Sequence, residues 1–329
     1  MSQPIHDAEV PLLSVITVTW NGKRYVEECL RSLATNVDVP AEFIVVDNAS
    51  TDGTPELIEQ AFPQFRVVRN AENLGFAKAN NIGIGIGRGT YLCLVNSDVV
   101  VPPGCLGSLY EYLEANPEVA VVGPQMLGTD DKVHRSSMRL PTLGNAFCRA
   151  FALDRVALLS RVLGGQLMSD FSHDRTCEVE VLNGWFWMIR RTAMESVGML
   201  DERFFMYGED LDWCRRFREA GWRLVFFGGA QALHYGGGSS RVAPVRFYLE
   251  LHRANLQYWR KHNGPLETVL YGAILVVHHL IRMVGHSVAY LLAAKRRREL
   301  AAKIKRSWLL IAWLSGAYRQ ANAHGQMST

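Results

Sequence analysis

The chain has 329 residues, 48% hydrophobic and 20% charged, with a formal net charge of +3, which allows a large core and is too mild to predict nucleic-acid binding. Its six cysteines are scattered with no CxxC pair or Cys/His cluster, which argues against a zinc site or disulfide framework and predicts free thiols in a reducing compartment. The first ten residues are polar and lack the apolar stretch of a secretory signal.

Three short β-branched runs come first, at residues 13–19, 43–47 and 91–96. Each stops at a polar loop (Trp20-Asn21-Gly22, the Asn48 to Thr54 stretch, Ser97-Asp98), and a helix-compatible segment follows. That is the pattern of an open α/β sheet whose strand ends carry a ligand site. Apolar spacing predicts helices over 23–34, 55–61, 76–86 and 105–115, with further strands at 65–69 and 118–124. Between residues 127 and 178 the pattern weakens into excursions. Order resumes at 179–182 and continues through 183–188, followed by a helix at 191–197, a helix opened by Gly208-Glu209-Asp210 and ended by Gly221, and a strand at 222–227. A glycine-rich loop is expected at 236–240, and helix from 245 onward.

Several polar residues fall where such a sheet binds ligands. Asp98, just past a buried strand, is placed either to hold a divalent ion beside a diphosphate or to cap a turn. Asp47 either accepts a nucleobase N–H or starts a turn, and Asp52-Gly53 reads as turn chemistry. The stretch from Asn73 to Asn80 feeds a helix N-terminus, a natural phosphate neighbourhood, with Lys78 a phosphate partner or a plain surface lysine. Asp210, in a first helical turn where the dipole favours its ionised form, is either a proton acceptor or an ordinary acidic helix start. Asp212 is its solvated or ion-paired neighbour. His234 is a neutral-imidazole metal ligand or a structural histidine, and Trp185, Phe186 and Trp187 are core or a flat face for a sugar.

The last third differs in kind. Residues 269–294 are largely apolar but carry His278, His279, Arg282 and His286, and Lys295 to Arg298 follow at once. A second apolar run, 308–314, comes after Lys303, Lys305 and Arg306. A spanning helix seldom holds such residues at its centre, whereas a helix in the headgroup layer carries them on one face and meets anionic lipid. The alternative is a buried helical pair. The expected organisation is a tail at 1–10, a catalytic α/β domain at 11–243 and a membrane-associating helical region at 244–329.

Taken together, the stretches beginning Ser14-Val15-Ile16, Val45-Val46-Asp47 and Asn73-Leu74-Gly75, with Asn96-Ser97-Asp98, Asn183-Gly184 and Gly208-Glu209-Asp210, resemble glycosyltransferase family 2 over residues 12–240. The subgroup they are most similar to is that of rhamnosyltransferase-like enzymes of bacterial cell-surface polysaccharide assembly. The resemblance implies the nucleotide-sugar-binding GT-A fold, an open mixed sheet flanked by helices, with a C-terminal helical extension. It implies that Thr17, Thr19, Asp47, Asn73, Lys78, Asn96 and Ser97 meet the nucleotide sugar, that Asp98 and His234 hold Mg²⁺ or Mn²⁺, that Asp210 is the base beside Glu209, and that Asn183 and Trp185 face the acceptor. Asp47, Asp98 and Asp210 are then expected to converge on one crevice. The implied reaction is an inverting transfer, of L-rhamnose from dTDP-rhamnose or of another hexose, to a saccharide or polyprenyl-linked acceptor at the cytoplasmic face of the membrane. One departure is Asn96, where the family's metal-binding element begins with Asp, so one negative charge is lost. That leaves two rivals: a nucleotidyltransferase on a similar sheet, of whose glycine-rich loop Asn21-Gly22-Lys23-Arg24 is a faint imitation, and a non-catalytic sugar-binding subunit at the membrane.

Overall fold

The computed structural model describes residues 12–153, 165–168, 171–236 and 244–315. The expected N-terminal tail and all but the first residue of the expected glycine-rich loop lie outside the described residues. Two compact units are present, one made of residues 1–140 and 171–244, the other of 141–170 and 245–329.

The first unit begins with β1 (Leu13–Thr19), α1 (Lys23–Asn36), β2 (Ala41–Asp47), α2 (Thr54–Ala61), β3 (Arg66–Arg69), α3 (Phe76–Ile86) and β4 (Tyr91–Val95). β1 pairs in parallel with β2 and β4, and β2 with β3. β1 and β4 are buried on both faces, which is why β4 reads as a continuous apolar run and β1 carries only small hydroxyl residues, Ser14, Thr17 and Thr19, among its apolar ones. α1 turns Val26, Cys29, Leu30 and Leu33 inward at helical spacing, against Leu13 and Val15. β5 (Val99–Val100), α4 (Cys105–Ala115), β6 (Val119–Leu127), β7 (Val133–His134) and β8 (Ser137–Met138) follow; α5 (Leu143–Ala150) belongs to the second unit. The first unit closes with β9 (Cys177–Glu178), β10 (Val181–Leu182), β11 (Phe186–Arg190), α6 (Arg191–Val197), α7 (Glu209–Glu219) and β12 (Arg223–His234).

The main sheet runs β3-β2-β1-β4-β11-β6-β12-β5. β11 lies antiparallel between β4 and β6, which makes the sheet mixed. The structure departs from the sequence reading here. The ordered stretch expected at 179–188 divides into a two-residue pairing of β10 with β8 and, from Phe186 to Arg190, a central strand. Phe186 to Ile189 are all buried, so no alternation marks them as a strand. β12 also continues past Phe227 to His234, with its register broken between Phe227 and Gln231, where Gly228 and Gly229 read as a stop. All six cysteines are free, as expected.

The second unit contains α5, α8 (Pro244–His262), α9 (Pro265–Leu292), a 3₁₀ turn (Ala294–Arg296) and α10 (Arg297–Leu314). Two of the three histidines that interrupt the apolar run of α9, His278 and His279, turn inward. His279 is buried, with Nδ1 3.1 Å from Ser307 Oγ and Nε2 3.3 Å from Tyr248 Oη. His278 Nδ1 lies 2.6 Å from the Ala150 carbonyl, which helps tie α5, and so part of the 141–170 segment, to the C-terminal helices. The outer face of α9 exposes Leu266, Val269, Val277, Leu280, Val284, Val288 and Leu291, which follow one another at spacings of three, four or eight along one stripe. Among the described residues α9, at 28 residues, is the one helix long and apolar enough to cross a membrane, by length and composition only.

Candidate active site

Asp98 and His234 are distant in sequence and are joined by strand pairing. After β4 the chain turns at Asn96, whose carbonyl accepts the Val99 N–H at 3.1 Å. β5 then runs antiparallel to the end of β12, with His234 opposite Val99 and the Tyr235 N–H donating to the Asp98 carbonyl at 3.0 Å. Both side chains are buried, with Asp98 Oδ1 3.4 Å from His234 Nε2. A hard carboxylate oxygen and an imidazole nitrogen directed at one point suit Mg²⁺ or Mn²⁺, the remaining ligands coming from phosphate and water. Among the described residues no group of three or more His, Cys, Asp or Glu is arranged to hold a metal ion.

Asp210 enters from the start of α7. Tyr207 (φ 66°) and Gly208 (φ 79°) are both left-handed, and at Tyr207 this is strained backbone of the kind that functional sites tolerate. Asp210 Oδ1 accepts the Leu211 N–H at 2.8 Å. Burial nevertheless pushes its carboxyl above the ordinary carboxylate range, against hydrogen bonds from the backbone of Leu211 and Gly184. The expectation that the helix dipole would dominate is thus corrected: desolvation outweighs it. Asp212 is buried and ion-paired with Arg216 at 2.9 Å. Arg216 also donates to the carbonyls of Val197 (2.6 Å) and Met199 (2.8 Å), so this pair braces the turn after α6.

Thr19, Asn73, Asn96, Ser97, Asp98, Trp185, Glu209, Asp210 and His234 line a single cavity of about 210 Å³. Four other residues singled out in the sequence lie elsewhere. Thr17 and Asp47 are buried at their strand ends, outside the wall, though the residue after Asp47, Asn48, is in it. Asp47 Oδ2 accepts the Ser50 N–H at 2.9 Å, whereas its Oδ1 and the hydroxyls of Thr17 and Thr19 are buried with no partner among the described residues. Lys78 is on the exposed face of α3. Asn183 is bound to the carbonyls of Ser136, through its own N–H, and of Arg135, through Nδ2. Trp187 and Phe186 are core, and only Trp185 of the three aromatics reaches the cavity.

The sequence reading missed the loop scaffold. Asn48 Nδ2 donates to the Gly75 carbonyl (2.9 Å), and its Oδ1 accepts from Asn70 Nδ2 (2.8 Å). Asn21 Oδ1 accepts the Thr51 N–H at 2.8 Å, and Asp52 accepts the N–H groups of Lys23 and Thr54, both at 3.1 Å. Burial alone would raise the Asp52 carboxyl, but these hydrogen bonds and that of the Thr54 hydroxyl hold it below its ordinary value. Gly75 (φ 84°) lies so close to the Phe205 carbonyl that any Cβ would run into it. Recurrent Asn at strand ends was the available signal. A groove on the second unit is larger, about 530 Å³, but apart from Arg260 its wall has no ionisable side chain. Chemistry, not size, therefore identifies the site.

Comparison with known proteins agrees with this geometry. The family model "Glycosyl transferase family 2" matches residues 14–198. A relative from Mycobacterium tuberculosis, N-acetylglucosaminyl-diphospho-decaprenol L-rhamnosyltransferase, is 28% identical, the match covering 88% of this chain and 97% of that one. Among solved structures, a mannosyltransferase from Pyrobaculum calidifontis in complex with GDP-Man and Mn²⁺ superposes with a TM-score of 0.54 at 18% identity, covering 93% of this chain and 88% of that one. GalNAc-T7 with UDP, GalNAc and Mn²⁺ does so with a TM-score of 0.51 at 14% identity, covering 77% of this chain and half of that one. The fold, a mixed sheet flanked by helices, is that of GT-A glycosyltransferases. With its matched residues spanning more than half of the chain and the cavity at its strand ends, this protein belongs to glycosyl transferase family 2.

Proposed function

We propose that the protein is an inverting glycosyltransferase that moves L-rhamnose from dTDP-rhamnose to a saccharide carried on a polyprenyl lipid. The observation that carries this reading is the convergence of Asp210 with Asp98 and His234 on one cavity. The acceptor hydroxyl oxygen attacks the anomeric carbon from the face opposite the diphosphate. A new C–O bond forms while the bond to phosphate breaks, its electron pair leaving on the nucleoside diphosphate. Asp210 takes the hydroxyl proton, with its raised pKa making it a better acceptor near neutral pH than an ordinary carboxylate. Asp98 and His234 would hold Mg²⁺ or Mn²⁺, which when bound would supply charge neutralisation for the leaving group. Thr19, Asn73, Asn96 and Ser97 orient the donor, and Trp185 offers its face to the acceptor sugar. The choice of rhamnose and of a lipid-linked acceptor is supported by the similarity to the mycobacterial enzyme over nearly its whole length.

The same reading puts the second unit on the anionic, cytoplasmic surface of the membrane. Residues 265–315 carry eight basic and two acidic side chains, a net +6 against +3 for the whole chain, beside the exposed apolar stripe of α9. The test is transfer by purified full-length protein from dTDP-, UDP- and GDP-sugars to a polyprenyl-diphosphate-linked GlcNAc, with and without Mn²⁺. Rhamnosyl product of inverted anomeric configuration is expected only from dTDP-rhamnose with metal. Failure of every donor, or retained configuration, overturns the reading.

A further inference from the structure

The ring of His234 is oriented by other rings. A ligating imidazole is ordinarily fixed by a hydrogen bond on its second nitrogen. Here Nε2 faces Asp98, and Nδ1 is buried with no partner among the described residues. Trp185 lies along one side of the imidazole, centroids 4.6 Å apart and planes 31° apart. His134 meets it edge-on at 6.0 Å and 86°, and meets Trp185 at 6.2 Å and 69°. The three rings close a triangle, so removing one leaves the other two room to turn.

His134 reaches this position through the β6–β7 hairpin, where it pairs opposite Met126. The hairpin turns with the Gly128 N–H on the Lys132 carbonyl at 2.8 Å and Asp131 at φ 57°. A Cβ on Gly128 would fall 2.5 Å from His134 Nε2. Gly128 is not left-handed, so a side chain there costs space rather than backbone strain.

We propose, on the reading that Asp98 and His234 hold the metal, that His134 is a positioning residue for that pair: its ring, backed by Gly128, wedges His234 and Trp185 into the ligating orientation. Its role is packing, so a phenyl ring replaces it and a methyl does not.

Mn²⁺ alone, titrated into the full-length protein and followed by the electron paramagnetic resonance of the free ion, tests this. His234→Ala weakens binding at least about tenfold, and His134→Ala weakens it by about tenfold, the lower end of what an outer-sphere partner is worth. His134→Phe returns it to within about threefold of wild type, the mark of packing rather than of hydrogen bonding or charge. Gly128→Ala displaces the imidazole and behaves as His134→Ala, and with His134→Phe it carries the test if His134→Ala does not fold. If His234→Ala weakens binding while His134→Ala and Gly128→Ala do not, the positioning role is wrong and the metal pair stands. If His134→Phe is as weak as His134→Ala, ring packing is wrong. Unchanged binding in His234→Ala, or none in the wild type, removes the metal pair and the positioning role with it.

Discussion

At the scale of single residues, the decisive quantity is the proton affinity of Asp210. Its carboxyl is raised by loss of solvent, and the dipole of α7 does not reverse this. Asp210→Asn is expected to lower kcat/KM by roughly 10²- to 10⁴-fold, the usual worth of a positioned base, while calorimetry finds donor binding within about threefold. With Asp210 as the proposed base, the deprotonated form is the competent one, so activity is expected to rise with pH through the folded-state pKa. The acid limb of kcat/KM is therefore expected above about pH 4, the ordinary carboxylate value, and a limb at or below it removes the base assignment. The stability linkage has the opposite sense. The folded state holds this proton more tightly than the unfolded chain, so the group's contribution is full below the unfolded pKa and is lost as pH rises through the folded one.

At the scale of elements, the site is held by the ends of helices and strands rather than by the loops alone. The Asp212–Arg216 pair spans one turn of α7, and Arg216 reaches the carbonyls after α6. Arg216→Met removes the ion-pair partner of a fully buried carboxylate and is expected to cost about 3–5 kcal/mol in urea unfolding. Asp212→Asn combined with Arg216→Met should recover part of that loss. Strict additivity of the two would show that the pair is not coupled. The loops after β1 and β2 are joined through Asn21 and Asp52, so this wall of the cavity is held by contacts within the protein itself.

At the scale of the whole molecule, charge is divided unevenly along the chain. With eight basic and two acidic residues in 265–315, the rest of the chain is left at −3. Full-length protein is expected to sediment with vesicles containing phosphatidylglycerol and to be released by salt. Replacing Arg296, Arg297 and Arg298 with Gln should weaken binding by about 3 kcal/mol, near 100-fold, at about 1 kcal/mol per charge. Val284→Glu, in the exposed stripe of α9, should weaken it as well. Equal sedimentation with neutral phosphatidylcholine, or indifference to both variants, would exclude the anionic surface as partner.

Local pattern was enough for the parallel half of the fold. β1, β2 and β4 announce themselves as short runs rich in β-branched and apolar residues that end at polar turns, and α1 because its apolar residues recur at helical spacing. The candidate acids Asp98 and Asp210 were legible for the same reason, each standing at the end of a strand or the start of a helix. Pairing between distant segments decided the rest. β11 enters the sheet centre antiparallel, β12 runs five residues past its glycine break to bring His234 beside Asp98, and His134 arrives on a hairpin. No short stretch of sequence encodes these contacts, because periodicity reports which face of an element is buried and not which neighbour buries it. The pKa of Asp210 belongs to the same class: a first-turn position can be read from sequence, whereas the loss of solvent around it exists only once the cavity has formed.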